Sequence, residues 1–274
     1  PPSITFIIYG MITGESIGDL FLSGIVPGLI FGFMLCIMVF IKSKKNGWKG
    51  DTQRASLKEI GRLFLDTIWG LLSPVIVLGG IYSGLFTPTE AAAVAVVYSL
   101  IVGIFIYKEL RLTELKETLF STAKTTGMIL LIIMNAGIFS WVLTQQGIAA
   151  SLTEMALALT DNRYIMLFII NIVFLCAGCV MDNTSALYIL VPIIMPIAKA
   201  LDINMIQLGV ILVLNLSIGQ VTPPVGPNLY VAADIGKVKF EEICRRMVPL
   251  LLMSLLALLC ITYIPALSLC LIPS

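Results

Sequence analysis

Gly219-Gln220-Val221-Thr222-Pro223-Pro224-Val225-Gly226-Pro227 stands between two mostly apolar stretches, residues 205–218 and 228–235. Proline has no N–H, and its ring collides with the carbonyl four residues back. The nonapeptide must therefore end one helix and begin another. Four residues beyond Gly219, Gln220 and Pro223 lie Pro223, Pro224 and Pro227. Those three carbonyls are expected to lose their usual helical donors. In an apolar chain such a break is tolerated at membrane depth only where it is buried in protein or lines a cavity.

The surrounding composition supplies that setting. The chain has 274 residues, 58% hydrophobic and 12% charged, with a mean hydropathy of +1.02. A soluble domain carries about 25% charged residues. Apolar runs near the ~20 residues needed to cross a bilayer recur throughout. The reading is an all-α, polytopic membrane protein.

Basic residues gather in short connections: Lys42, Lys44, Lys45, Lys49, Arg54, Lys58 and Arg62, and later Lys237, Lys239, Arg245 and Arg246. The positive-inside rule makes both clusters cytoplasmic. Spans are then expected at residues 20–41, 68–85, 88–107, 125–143 and 247–271. Residues 57–66 and 112–121 read as short amphipathic surface helices. Residues 145–162 read as an external connection with a helix of its own. Thr87-Pro88-Thr89-Glu90 has the form of a capping box with proline at the first helical position. Two further apolar runs, 164–180 and 186–198, flank Met181-Asp182-Asn183-Thr184-Ser185. The second contains Pro192 and Pro196 and is short for a full span. The pair reads as a re-entrant hairpin that enters and leaves on the outer side.

Several function classes lack their residues. The chain has no histidine, which removes His-based catalysis and HExxH zinc sites. Cys176 and Cys179 form a CxxC inside an apolar run, with no second pair, and read as packing residues. A polytopic membrane enzyme would need a nucleophile with a matched base, or a metal set, and neither is evident. A net charge of +1, with the bases held in connections, is a topology signal and not a nucleic-acid patch.

The break also has a counterpart. Pro1-Pro2 and Pro223-Pro224, Gly14 and Gly236, and Pro27 and Pro249 are each separated by 222 residues. Both stretches read Pro-Pro, about a dozen mostly apolar residues, Gly, a short polar connection and a span with proline near its start. Residues 1–14 must run outward if residues 20–41 end at the basic loop, whereas residues 223–236 run inward. Inverted repeats with paired broken helices mark the binding site of many secondary transporters. The opening on Pro1-Pro2-Ser3, directly before an apolar stretch, leads us to expect a preceding N-terminal half.

Chemistry is expected at two places. Free carbonyls of the break, together with Thr222, offer the converging oxygens that sodium needs. The tip residues Asp182, Asn183, Thr184 and Ser185 add oxygens at a helix N-terminus, which also attracts anions. Simple capping of the helix by Asn183, Thr184 or Ser185 is the plainer alternative. Asp182 could instead carry a proton. A structural subunit that does not itself transport is a further alternative.

Gly79-Gly80-Ile81-Tyr82-Ser83-Gly84-Leu85-Phe86-Thr87-Pro88-Thr89-Glu90-Ala91-Ala92, Gly147-Ile148, Met181-Asp182-Asn183-Thr184-Ser185-Ala186, Thr222-Pro223-Pro224-Val225-Gly226 and Ile261-Thr262-Tyr263-Ile264-Pro265 resemble, in order, the large membrane subunit of tripartite ATP-independent periplasmic (TRAP) transporters. The resemblance covers nearly the whole chain. It implies an elevator-type ion-transporter fold in the bacterial inner membrane and symport of a small organic acid with sodium, without a covalent cofactor. The implied partners are a small membrane subunit and a soluble periplasmic substrate-binding protein. The implied sodium ligands are Asn183, Thr184, Gly219, Thr222, Pro223 and Gly226. Asp182, Ser185, Pro224, Asn228 and Ser3 would face the substrate. Residues 1–43 would be the remainder of the first repeat, 57–162 the scaffold and 163–274 the second repeat.

Overall fold

The computed structural model describes residues 3–48 and 56–272. Pro1, Pro2, Lys49 and Arg54 of the sequence reading lie outside them. The described residues form α1 (Ile4–Thr13), α2 (Ile17–Ser23), α3 (Ile25–Asn46), α4 (Leu57–Tyr82), α5 (Pro88–Ile101), a π-helical turn (Val102–Ile106), α6 (Leu112–Gln145), α7 (Ile148–Leu159), α8 (Arg163–Val180), α9 (Asn183–Ala200), α10 (Met205–Gly219), α11 (Pro227–Gly236), α12 (Phe240–Tyr263) and α13 (Ala266–Leu269). No strand occurs among the described residues. Seven segments are long and apolar enough to cross a membrane.

The helices fall into two compact units. In the smaller, within residues 56–131, α4 packs on α5. The Tyr98 hydroxyl donates to the Trp69 carbonyl at 2.6 Å, and the Tyr107 hydroxyl to the Asp66 carbonyl at 3.0 Å. The capping box expected at α5 is present. Glu90 N–H donates to Thr87 Oγ1, and Thr87 N–H donates to the Glu90 carboxylate at 2.8 Å.

The larger unit holds residues 3–47 and 132–272. Its core is α10, whose Leu208, Ile211, Leu212 and Leu216 are fully buried among α8, α9, α12, α1 and α2. Burial on every side fits its near-continuous run of apolar residues. The Tyr9 hydroxyl on α1 donates to the Met205 carbonyl at 2.6 Å, pinning α1 to the head of α10. A buried polar chain crosses the same unit. Asn215 Nδ2 on α10 donates to Asn171 Oδ1 on α8 at 2.6 Å, and Asn171 Nδ2 donates to Thr262 Oγ1 on α12 at 3.1 Å. Gln207 Nε2 closes on the Thr262 carbonyl at 3.0 Å. Pairing lowers the cost of burying such groups in a low-dielectric interior, although Gln207 Oε1 and Asn215 Oδ1 find no partner there.

The two stretches separated by 222 residues form similar helices. α1 and α11 each have ten residues and each end on a left-handed residue, Gly14 and Lys237. α3 and α12, which carry Pro27 and Pro249, pack together. Lys42 Nζ, near the end of α3, donates to the carbonyl of Arg246, near the start of α12, at 2.8 Å. The two repeat-related spans therefore lie antiparallel, with their basic ends adjacent.

Five boundaries differ from the sequence reading, the first at α9, which has 18 residues and is long and apolar enough to cross a membrane where 186–198 reads as short for a span. Residues 57–66 do not form a separate surface helix; α4 is continuous from Leu57 to Tyr82, through Pro74. Residues 112–121 likewise continue into the span as the single helix α6. The span expected over 20–41 is two helices meeting at Gly24. The last span starts earlier, at Phe240, and stops at Tyr263, just before Pro265, with the short α13 beyond. In α4 and α6 a polar face near one end suggested a boundary, but no residue there breaks the backbone ladder.

Candidate ion and substrate site

Two glycines bring the break to the hairpin. A Cβ built on Gly219, at the end of α10, would stand 2.6 Å from both the Cα and the carbonyl carbon of Gly178 on α8. A Cβ on Gly178 would stand 3.1 Å from the Leu216 carbonyl oxygen. Small residues let membrane helices approach backbone to backbone. Here that approach comes three residues before Met181, where the hairpin turns.

Asp182 is the N-cap of α9. Its Oδ2 accepts from Ser185 N–H at 3.0 Å, and its Oδ1 accepts from the Ser185 hydroxyl at 2.6 Å. Asp182 and Ser185 are thus committed to each other, and both carboxylate oxygens serve the cap. Asn183 and Thr184 follow, half-buried, at the first positions of α9.

The break between α10 and α11 is tighter than expected. The Gly219 carbonyl accepts from Thr222 N–H at 2.9 Å, and the Gln220 carbonyl accepts from Asn228 N–H at 3.2 Å. These two of the three expected free carbonyls have therefore found donors in the turn itself. Among the described residues, the carbonyls of Val221, Thr222 and Pro223 accept no backbone hydrogen bond. The Thr222 hydroxyl donates to the Ile218 carbonyl at 2.7 Å. Gly226 is left-handed, with φ 43° and ψ 76°, and is the N-cap of α11. A Cβ there would stand 2.9 Å from the Thr222 carbonyl oxygen. Pro224 and Asn228 are exposed.

One side chain absent from the expected set joins these pieces. Gln220 Nε2 donates to Asn183 Oδ1 at 2.9 Å, and Gln220 Oε1 accepts from Asn228 Nδ2 at 3.1 Å. The hairpin tip, the end of α10 and the start of α11 thus meet in one carboxamide. Asn183, Asn228, Thr222, Gly219, Pro223 and Gly226 are brought to one locality. Ser3, at the head of α1, joins none of these hydrogen bonds. The long reach of a glutamine beside a proline break was the available clue to Gln220; its partner 37 residues away was not.

The family model described as the tripartite ATP-independent periplasmic transporter, DctM component, matches residues 1–267. The chain belongs to this family. This DctM-family chain is 42% identical, over 99% of its length and 63% of the relative's, to the C4-dicarboxylate TRAP transporter large permease protein DctM of Pseudomonas aeruginosa. It is 40% identical to the isethionate TRAP transporter permease protein DctMQ of Oleidesulfovibrio alaskensis, over 97% of this chain and 42% of that one. It is 36% identical to the sialic acid TRAP transporter large permease protein SiaM of Vibrio cholerae, over 98% and 63%. The chain spans less than two thirds of the length of each of these relatives. It is a multi-pass membrane protein of a transporter-permease family, a non-enzymatic class.

Proposed function

We propose that this DctM-family chain forms part of a secondary transporter that moves small organic acids across the inner membrane with sodium. A soluble periplasmic protein delivers the substrate, a small membrane subunit completes the assembly, and the moving part works as an elevator. C4-dicarboxylates or sugar acids are the substrate class favoured by the names of the relatives, which include permeases for C4-dicarboxylate and for sialic acid. The observation that carries the reading is the Gln220 junction, where the hairpin tip meets a helix break whose Val221, Thr222 and Pro223 carbonyls lack backbone donors.

An all-oxygen set suits sodium, which needs no carboxylate when several carbonyls and a hydroxyl converge. Thr222, Pro223 and Thr184, with a remaining lone pair of Asn183, supply such oxygens. The N-terminal ends of α9 and α11 supply the partial positive charge that an organic carboxylate seeks. The coupling ion and the anion can then share one locality and offset each other's charge.

Replacing Pro223 and Pro224 together by alanine returns two N–H donors to the break and favours a continuous helix. In the complete permease, reconstituted with its small subunit and binding protein, this double variant is expected to lose sodium-stimulated uptake. Unaltered sodium-driven uptake would remove the break from the mechanism.

A further inference from the structure

Gln220 occupies the last place at which α10 is still helical. Its N–H donates to the Leu216 carbonyl at 3.1 Å, as in a helix, and its carbonyl is the first to be taken across the break, by Asn228 N–H. Its side chain repeats the same bridge one layer out, to Asn228 Nδ2, and extends it to Asn183 on the hairpin. One residue thus makes four hydrogen bonds to three elements. No other side-chain hydrogen bond among those described links α9 to the break. The Gly178–Gly219 contact fixes how closely α8 and α10 approach, but it lies on the far side of Met181 and does not hold α9.

The chemistry of the carboxamide matters here. It is neutral, so it can lie beside a cation or an anion without a charge of its own. It donates at one end and accepts at the other, and both ends are engaged. We infer that Gln220 is a positioning residue: it sets the spacing between the hairpin tip and the broken helix, and through that spacing the affinity for sodium, without coordinating the ion. This rests on the sodium-site reading proposed above. Removing the bridge leaves every backbone carbonyl of the break in place and loosens only their register with Asn183 and Thr184.

Gln220→Met keeps the length of the side chain and deletes both bonds. Loss of a neutral hydrogen bond is worth about tenfold in an equilibrium constant at most. The half-saturating sodium concentration for uptake is therefore expected to rise about tenfold, with the maximal rate at saturating sodium retained. Asn228→Ala removes one of the two bonds, leaves Gln220 Nε2 on Asn183 Oδ1, and is expected to raise it by a smaller factor. The double variant is expected to match Gln220→Met alone, because both changes cut the same bridge. Damage to folding alone would lower the maximal rate and the yield without this shift.

A direct ligand would behave differently. If Gln220 Oε1 bound sodium, Asn228→Ala would free that oxygen and leave the half-saturating concentration unchanged or lower, which would overturn the positioning role. An unchanged sodium curve in Gln220→Met, or fully additive effects in the double variant, would overturn it too. The failures are distinguishable. If wild-type uptake does not respond to sodium, the site reading falls; if it does and Gln220→Met responds identically, only the role of Gln220 falls.

Discussion

Gly178 and Gly219 face each other with no room for a methyl group on Gly219: the position of a Cβ there is 2.6 Å from the Gly178 backbone and 3.0 Å from Cys179 N. Both obstacles are main-chain atoms, which cannot turn aside as a flexible side chain can. The relief must come from moving α8 away from α10.

Gly219→Ala is accordingly expected to destabilise the larger unit by about 1–3 kcal/mol, the usual range for overpacking. Thermal melting of the purified permease in detergent checks this. A melting temperature equal to wild type would mean that the helices separate without cost.

The hairpin cap makes a graded prediction. Asp182 accepts from both the N–H and the hydroxyl of Ser185. Asp182→Ala should cost about 0.5–2 kcal/mol, the range for losing an N-cap, whereas Asp182→Asn keeps an acceptor and should cost little. The same pair separates two coupling mechanisms. A proton carrier at Asp182 fails completely when made Asn, while a site built from carbonyls keeps sodium-driven uptake. Parallel melting and uptake assays on both variants read the two effects.

Thr262 anchors the buried polar chain. Thr262→Val preserves shape but removes the oxygen that accepts from Asn171 Nδ2, leaving a buried donor unpaired. The expected cost is about 1–3 kcal/mol. The Thr262 carbonyl, and with it the bond from Gln207, is untouched. Thr262→Ser keeps a hydroxyl that can accept from Asn171 Nδ2 and should cost less than Thr262→Val. Melting of the two variants tests this; a Thr262→Ser variant no more stable than Thr262→Val would contradict it.

Much of this architecture was legible in the sequence, for definite reasons. Apolar length located the spans, and Thr87 and Glu90 located the start of α5 because a capping box is a local motif. The prolines at 223, 224 and 227 located the break because proline acts on its own backbone. What escaped the reading is non-local or one-sided. Polar residues such as Lys58, Glu59 and Arg62, or Lys116 and Glu117, indicate where a helix is wet, not where it ends, so α4 and α6 were divided where the backbone runs on. The i+4 rule implies lost donors at Gly219 and Gln220, whereas the chain folds back to supply Thr222 and Asn228 instead. Gln220 lies inside the break, where the i+4 rule speaks only to its carbonyl. Its side-chain role, like the Asn215–Asn171–Thr262 chain, depends on partners from other helices that one sequence does not pair.

The most direct test of the central claim is substrate uptake by proteoliposomes of the complete permease with its small subunit and binding protein, loaded so that a sodium gradient and a proton gradient are imposed in turn. The account predicts accumulation of an organic acid that follows the sodium gradient and is lost when potassium replaces sodium. Accumulation driven by protons alone, with no response to sodium, would contradict it.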